Sequence, residues 1–367
     1  MRFRFTGECV INGEETKNPY VRTGKTKSGN KYETFSCGLK AAKNNTAWLE
    51  LFGMESDDIH TMDSDNSKID ISWEDRFDED VVSRVANYKK NVINLDERKE
   101  FVSPYDAVQF LVKNVDEIKG QRITVTGQVN KNVYNGKITD RFQIQNVYMA
   151  SEDDKSQFKC TDTFYFDKNS FDTADWKEEK KLSINGWVSS YIAEEKKNMY
   201  VPQTIVFDCT KIDFDNEKHR KLVEFKLKMI GCSLTDDNKI KVGVGKSVYS
   251  MSVVLSYNNG AVAEEIKEED LTDAQREAVE LGIKTMADFA STVYGARVTE
   301  FKLVDYNLTG DYADGYVDTE IKPSEFEEDV FEPATEEKLD DIMNKPVSED
   351  KIESDDMDDE EDMDLFD

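Results

Sequence analysis

The sequence contains only two histidines, His60 and His219, among its 367 residues. A zinc site or a histidine-based catalytic triad would need more of them, so we expect neither. No apolar run reaches the length of about 18 residues that a membrane-spanning helix requires. The start, MRFRFTGECV, also lacks the apolar core of a signal peptide. We therefore expect a protein that is neither secreted nor membrane-bound.

Cysteine is scarce too, and its distribution indicates the redox environment. The cysteines are odd in number, widely spaced and never arranged as a CxxC pair, and most lie in apolar, strand-like segments. This pattern is typical of buried, reduced thiols in a cytoplasmic protein, in the host cytoplasm if the chain is viral. The five are Cys9, Cys37, Cys160, Cys209 and Cys232.

Two motifs that suggest enzymatic chemistry are incomplete. Gly243–Ser247 resembles the end of a phosphate-binding loop, but Ile240 stands where its first glycine belongs. The acidic spacing that begins at Asp63 resembles a calcium loop, but Lys68 replaces the glycine of its sharp turn. We predict a protein that is not an enzyme, with no catalytic residues, no metal and no cofactor. The many carboxylates still leave a magnesium-dependent nuclease open as an alternative.

The formal net charge of −29 is spread unevenly along the chain. From Asp318 onward there are 23 acidic and 4 basic residues, a net charge of −19, which leaves −10 for the remainder. Within that remainder, residues 1–45 carry nine basic and four acidic side chains, a net charge of +5. A nucleic-acid surface in such a protein must be a local patch, and this segment is the candidate.

Short alternating segments predict a mainly β fold with some α-helix. Arg122–Val133 alternates apolar and polar residues, and the Asn-Gly pair at 135–136 predicts a hairpin turn into Ile138–Ala150. A weak internal repeat places the inward-facing glycines Gly127 and Gly186 in similar segments. Small five-stranded barrels need such glycines at bends.

We therefore predict a multi-domain chain built on five-stranded barrels of the oligonucleotide/oligosaccharide-binding (OB) type. Residues 1–118 are an embellished OB-like β domain, and residues 119–215 are an OB barrel. Residues 216–317 are an α+β domain, with a strand at Val223–Ile230 and a helix capped by Thr272. Residues 318–367 are an acidic tail, which we expect to be disordered because it is too charged to form a core.

Aromatic side chains occur on strand faces that point away from the predicted core. Trp48 and Phe52 alternate with Leu49 and Leu51, and Trp187 lies in a similar strand. Proteins that bind single strands stack bases on such rings and contact phosphates with nearby cations. Alternatively, the rings cover a second core between domains. The candidate nucleic-acid-binding residues are Arg22, Lys25, Lys27, Lys31, Trp48, Phe52, Arg122, Lys131, Tyr134, Lys159, Tyr165, Trp187 and Tyr191.

The last segment, Glu349–Asp367, has twelve acidic residues and one basic residue, yet its end is apolar. Met363, Leu365 and Phe366 are too few to form a core, but they are enough to fill a pocket on a partner. The acidic run can also compete with nucleic acid for a basic groove. We predict a partner-binding tip on an acidic leash.

Several stretches resemble the single-stranded DNA-binding proteins of bacteriophages. They are TGKTKSGNKYETFSCGL with TAWLELFG, ITVTGQVNKNVYNGKITDRFQIQNVYMA, and the end DMDLFD. The resemblance implies an OB-fold protein that coats single-stranded DNA in replication and recombination. It also implies a tail that recruits replication or recombination proteins. The alternatives are an acidic scaffold or DNA-mimicking inhibitor, and the magnesium-dependent nuclease. Oligomeric state is left open.

Overall fold

Strands dominate the computed structural model, which confirms the predicted mainly β fold with some helix. It describes residues 1–26, 28–134, 137–192, 196–263 and 294–321, together with Arg276, Val279 and Phe326. The helix predicted from Thr272 and almost all of the predicted tail lie outside these residues. No described helix is long and apolar enough to cross a membrane.

In the first part of the chain the strands are β1 (Arg2–Val10), β2 (Val21–Lys25), β3 (Lys31–Ala42), β4 (Asn45–Met54), β5 (Asp58–Met62), β6 (Lys68–Ser72), β7 (Asn91–Asn94), β8 (Arg98–Phe101), β9 (Arg122–Tyr134) and β10 (Lys137–Met149). The helices there are α1 (Glu79–Arg84), α2 (Pro104–Lys113) and α3 (Val115–Ile118).

In the second part the strands are β11 (Gln157–Phe166), β12 (Phe171–Asp172), β13 (Lys181–Ile192), β14 (Lys197–Asp208), β15 (Cys232–Leu234), β16 (Ile240–Val242), β17 (Tyr249–Ala263), β18 (Tyr294–Tyr306) and β19 (Val317–Asp318). The helices there are α4 (Trp176–Glu179) and α5 (Glu217–Lys228).

Five strands of the first part close into a ring, which we call the first barrel. β1 pairs with β3, β3 with β4, β4 with β10 and β10 with β9, which returns to β1. The β4–β10 contact is parallel, with Leu49 opposite Phe142. Along the chain, α2 lies between the third and fourth strands of the ring. This is the arrangement of an OB barrel.

The second part repeats the arrangement in a second barrel. β11 pairs with β13, β13 with β14, β14 with β18 and β18 with β17, which returns to β11. The closing β14–β18 contact is again parallel, with Ile205 opposite Phe301, and α5 lies between the third and fourth strands. The chain therefore contains two barrels with the same strand order in tandem.

The strand pairing crosses the predicted domain boundaries. β9 and β10, which the sequence groups with β11, β13 and β14 in residues 119–215, instead complete the first barrel. The second barrel takes its last two strands from residues 216–317. Periodicity reports which face of a strand is buried and does not identify its partner. The parallel contacts that close both barrels join strands far apart in sequence, so they leave no local signal.

A helix occupies most of the segment predicted as a strand at Val223–Ile230. It is α5, and the side chain of Asn216 caps its start by accepting a hydrogen bond from the Lys218 N–H (3.0 Å). Val223 and Leu227 are buried, one helical turn apart. The cap and this spacing favour a helix over the β-branched character of a single valine.

The two barrels share one core. β1 pairs with β11 as well as with its own barrel, so Phe5 lies opposite Phe158. The Phe5 ring also stacks on Tyr257 of β17 with centroids 5.9 Å apart. A continuous cluster of buried residues runs through both barrels. Their relative position is therefore set by backbone hydrogen bonds and by apolar packing.

A small lobe, residues 55–103, embellishes the first barrel between β4 and α2. Its own buried cluster consists of Ile71, Val85 and Val102. Arg76 of the lobe donates through Nε to Asp106 Oδ2 on α2 (2.8 Å). This ion pair and the β7–β10 pairing attach the lobe to the barrel.

All five cysteines are buried and free, as their sequence surroundings predicted. Burial raises the pKa of the Cys209 and Cys232 thiols to about 12. These thiols stay protonated near neutral pH, and protonated thiols are poor nucleophiles.

Gly127 and Gly186 mark close approaches of the backbone. A Cβ at Gly127 would lie 1.9 Å from Gln143 O, and one at Gly186 would lie 2.2 Å from Tyr165 O. Gly127 is on the fourth strand of the first barrel, whereas Gly186 is on the second strand of the second barrel. The weak repeat therefore reflects the same local requirement at two different places in the fold.

Replacing Gly127 with alanine should destabilise the protein by about 2–3 kcal/mol, because the new methyl group collides with backbone that cannot move alone. The measurement is the free energy of unfolding in denaturant. Gly13→Ala is the matched control, since its Cβ would meet nothing closer than Thr16 Cγ2 at 3.8 Å. Equal stabilities of the two variants would contradict the close approach.

Candidate nucleic-acid interface

Two aromatic rings project from the outer face of β4. Trp48 is 44% exposed and Phe52 is 47% exposed, whereas Leu49 and Leu51 between them are buried in the core. The alternation along β4 therefore places the rings on the side that the sequence predicted. Exposed apolar side chains that lie together on one surface can mark a binding site.

Neighbouring residues of β3 support these rings. Gly38 lies opposite Trp48, and a Cβ there would lie 3.2 Å from the indole ring, so glycine leaves room for it. Tyr32 packs on Phe52 with centroids 5.7 Å apart and planes inclined by 32°. We call Tyr32, Trp48 and Phe52 the first-barrel face. Their strands are the second and third of the barrel, the surface on which OB folds bind oligonucleotides.

Two arginines flank the first-barrel face and share one carboxylate. Arg22 Nη2 lies 3.5 Å from Glu50 Oε2, and Arg141 Nε lies 3.6 Å from Glu50 Oε1. Glu50 projects from β4 between Trp48 and Phe52, and both arginine side chains are more than half exposed. Glu50 thus holds two half-exposed cations beside the rings.

The predicted basic loop is the hairpin formed by β2 and β3. Lys25 lies opposite Lys31 in this hairpin, and Thr26 N–H donates to Asn30 O (2.8 Å) across its turn. The exposed Lys31 also pairs with Glu55 (3.4 Å). Lys27 lies outside the described residues. The structure therefore brings Arg22, Lys25 and Lys31 to the same sheet as Trp48 and Phe52.

The aromatic residues of the second barrel have different surroundings. Trp187 of β13, Tyr165 of β11 and Tyr200 of β14 point away from the core and form what we call the aromatic cage. Phe326 fills it, with its ring centroid 4.5 Å from those of Trp187 and Tyr200 and 6.2 Å from that of Tyr165. Burial raises the pKa of Tyr165 to about 12. Tyr191, farther along β13, is exposed.

Four predicted residues lie on neither face. Lys131 is buried, and its Nζ pairs with Asp140 (2.6 Å) and with Gln203 of the second barrel. Arg122 begins β9 and donates to the carbonyl oxygen of Asp154. Lys159 lies on β11, paired with β1 and β17. Tyr134 ends β9, and its side chain is outside the described part. Lys131 therefore connects the two barrels from a buried position and is not a surface cation.

Sequence reasoning missed several residues of these surfaces. Tyr32 and Tyr200 follow the alternation of β3 and β14, so their outward direction could have been predicted from those strands. Arg141 and Glu50 meet only because β4 and β10 are parallel neighbours. Phe326 lies beyond the last barrel strand, and no local pattern links it to Trp187.

No group of three metal-binding side chains occurs in the part of the chain that the structure describes. The calcium-like spacing at Asp63 belongs to the turn between β5 and β6. There, Asp63 Oδ1 accepts hydrogen bonds from the N–H groups of Asp65 and Ser67, both at 3.0 Å. Gly243–Ser247 connects β16 to β17, and Gly245 N–H donates to the Tyr249 hydroxyl.

No family model and no curated protein matches the chain. Among solved structures, it is similar to the wild-type single-stranded DNA binding protein from Thermus aquaticus, with 7% identity and a TM-score of 0.27, over 70% of this chain and 85% of that one. A deletion mutant of the same protein gives 8% identity and a TM-score of 0.28, over 70% and 86%. Similarity this low supports no functional argument, and the assignment of two OB barrels depends on their strand order.

Proposed function

We propose that this protein binds single-stranded DNA on the first-barrel face. The observation that carries the proposal is the pair of half-exposed rings, Trp48 and Phe52, with Arg22 and Arg141 beside them. Stacking of a base on an aromatic ring contributes about 1–3 kcal/mol and tolerates any sequence. Cations at the edge of the rings meet the phosphates that connect the stacked bases.

The charge distribution supports a local interface. The chain as a whole carries −29, so its long-range field repels nucleic acid. Residues 1–45 carry a net charge of +5, and four of their basic residues lie on β2 and β3, the two strands next to β4 in the sheet: Arg22, Lys25, Lys31 and Lys40. Binding therefore depends on short-range contacts at this face, and added salt should weaken it.

We propose further that the protein coats single-stranded DNA in replication and recombination, in a bacteriophage context, without enzymatic activity or cofactor. The acidic scaffold and the nuclease are the competing classes. A DNA mimic would not bind poly-dT at any salt concentration. A nuclease would degrade the strand once magnesium is added.

Trp48→Ala and Phe52→Ala should each weaken poly-dT binding by about 1–3 kcal/mol, because each removes one stacking surface. The measurement is a fluorescence titration, with unfolding curves to show that the fold is retained. Phe77→Ala is the control, since this ring is even more exposed but lies in the lobe. If Phe77→Ala weakens binding as much as the other two, the first-barrel face is not the site.

Neutralising the hairpin cations should flatten the salt dependence of poly-dT binding by about 0.7 in log–log slope for each phosphate that is no longer bound. The wild type and the variants are titrated at several salt concentrations. The residues to change are Arg22, Lys25, Lys27 and Lys31. A charge-matched control removes four exposed lysines from the second part of the chain, Lys168, Lys177, Lys241 and Lys246. Equal slopes for the two quadruple variants would place the phosphate path elsewhere.

Deleting Glu349–Asp367 should tighten binding of single-stranded DNA at low salt, because its twelve carboxylates would compete with phosphates for the same cations. Changing Leu365 and Phe366 to alanine should instead leave DNA affinity almost unchanged and abolish capture of a replication protein by the tail. The checks are poly-dT titrations and a pull-down with the tail peptide. Capture that is indifferent to the double change would contradict the role of the apolar tip, and no capture by the wild-type tail would reduce the tail to a solubilising segment.

A further inference from the structure

Phe326 lies buried in the aromatic cage of the second barrel. Only 6% of its surface is exposed. The three rings of the aromatic cage come from three different strands, and their centroids are 4.5–6.2 Å from that of Phe326. These distances are typical of attractive aromatic pairs. The contact is therefore a filled pocket.

The pocket lies on the second barrel, at the place that corresponds to the exposed first-barrel face. Trp187 and Tyr200 lie on β13 and β14, the second and third strands of the second barrel, as Tyr32 and Trp48 lie on β3 and β4 of the first. Both faces thus present rings at the place where OB folds bind oligonucleotides. The two barrels differ in that a phenylalanine of the same chain covers the second.

The chain shortly before Phe326 is attached to the second barrel, and the residues next to Phe326 in sequence are acidic. Val317 and Asp318 pair with β17, and Thr319 N–H donates to Val248 O (3.0 Å). Phe326 follows seven residues later, so its effective concentration at the cage is high. Its sequence neighbours are Glu325, Glu327, Glu328 and Asp329. Their carboxylates would repel the phosphates of a strand that approaches this barrel.

We propose that Phe326 is a displaceable plug, and that a nucleobase takes its place between Trp187, Tyr165 and Tyr200 when single-stranded DNA extends from the first barrel to the second. The proposal rests on DNA binding by the first-barrel face. Burial of one phenylalanine and stacking of one base are of similar strength, so exchange is feasible. Since the plug is held by apolar packing, its effect should persist at high salt, unlike that of the distal acidic tail.

The test compares oligo-dT of about 6 nucleotides, which fits one barrel, with oligo-dT of about 20 nucleotides, which spans both. Phe326→Ala should bind the longer strand about tenfold more tightly than the wild type does, because DNA no longer displaces a ring. Affinity for the shorter strand should not change. Phe331→Ala is the matched control, since it removes another phenylalanine from the same acidic stretch.

A second measurement follows the cage directly. With 5-fluorotryptophan at the four tryptophan positions, the Trp187 resonance is identified by its loss in Trp187→Phe. It should shift in Phe326→Ala without DNA, and in the wild type only when the longer strand is added. Phe326→Leu should give an intermediate gain in affinity and replaces Phe326→Ala if that variant does not fold.

Two results would overturn the plug. One is equal affinity of the longer strand for Phe326→Ala and Phe331→Ala. The other is a Trp187 resonance in the wild type that does not move when that strand binds. In either case Phe326 is a permanent part of the second barrel. A wild type that fails to bind even the shorter strand would instead contradict the function proposed for the first-barrel face.

Discussion

The whole fold depends on β1, because one edge of this strand pairs with a strand of each barrel. β1 pairs with β9 along one edge, whereas its other edge pairs with β11 over Arg2–Thr6 and with β3 over Glu8–Val10. β11 does the same, with β17 on one edge and β1 and β13 on the other. Each first strand therefore closes its own barrel and joins the other barrel, so the two rings are held in one hydrogen-bonded sheet and around one core.

This arrangement gives two equivalent faces with different accessibility. On the first barrel, the rings of Trp48 and Phe52 meet solvent beside two arginines that share Glu50. On the second, Trp187 is covered by Phe326 from a stretch rich in carboxylates. Of the two interpretations of an outward aromatic ring, the second apolar contact therefore holds for Trp187. Base stacking is the proposal for the exposed rings of Trp48 and Phe52.

Much of this could be predicted from local pattern. Alternation along β4 is enough to direct Trp48 and Phe52 outward, because successive side chains on a strand point to opposite faces. Glycines inside strands predicted bends of a barrel at Gly127 and Gly186, and the structure shows that the backbone approaches closely at both positions. The same reasoning failed at Val223, where a side-chain cap at Asn216 and helical spacing outweigh β-propensity. It also favoured Lys131 as a surface cation, although tertiary contacts bury it beside Asp140.

The sequence by itself determined the mainly β character, the outward direction of the rings and the concentration of positive charge near the N-terminus, since these depend on periodicity and composition. Only the tertiary structure decided which strands form each barrel, which cations meet the rings and which aromatic face is covered. The β4–β10 and β14–β18 contacts join residues about a hundred positions apart. Backbone hydrogen bonds have the same chemistry at every residue, so a sequence carries no local record of which strands they connect.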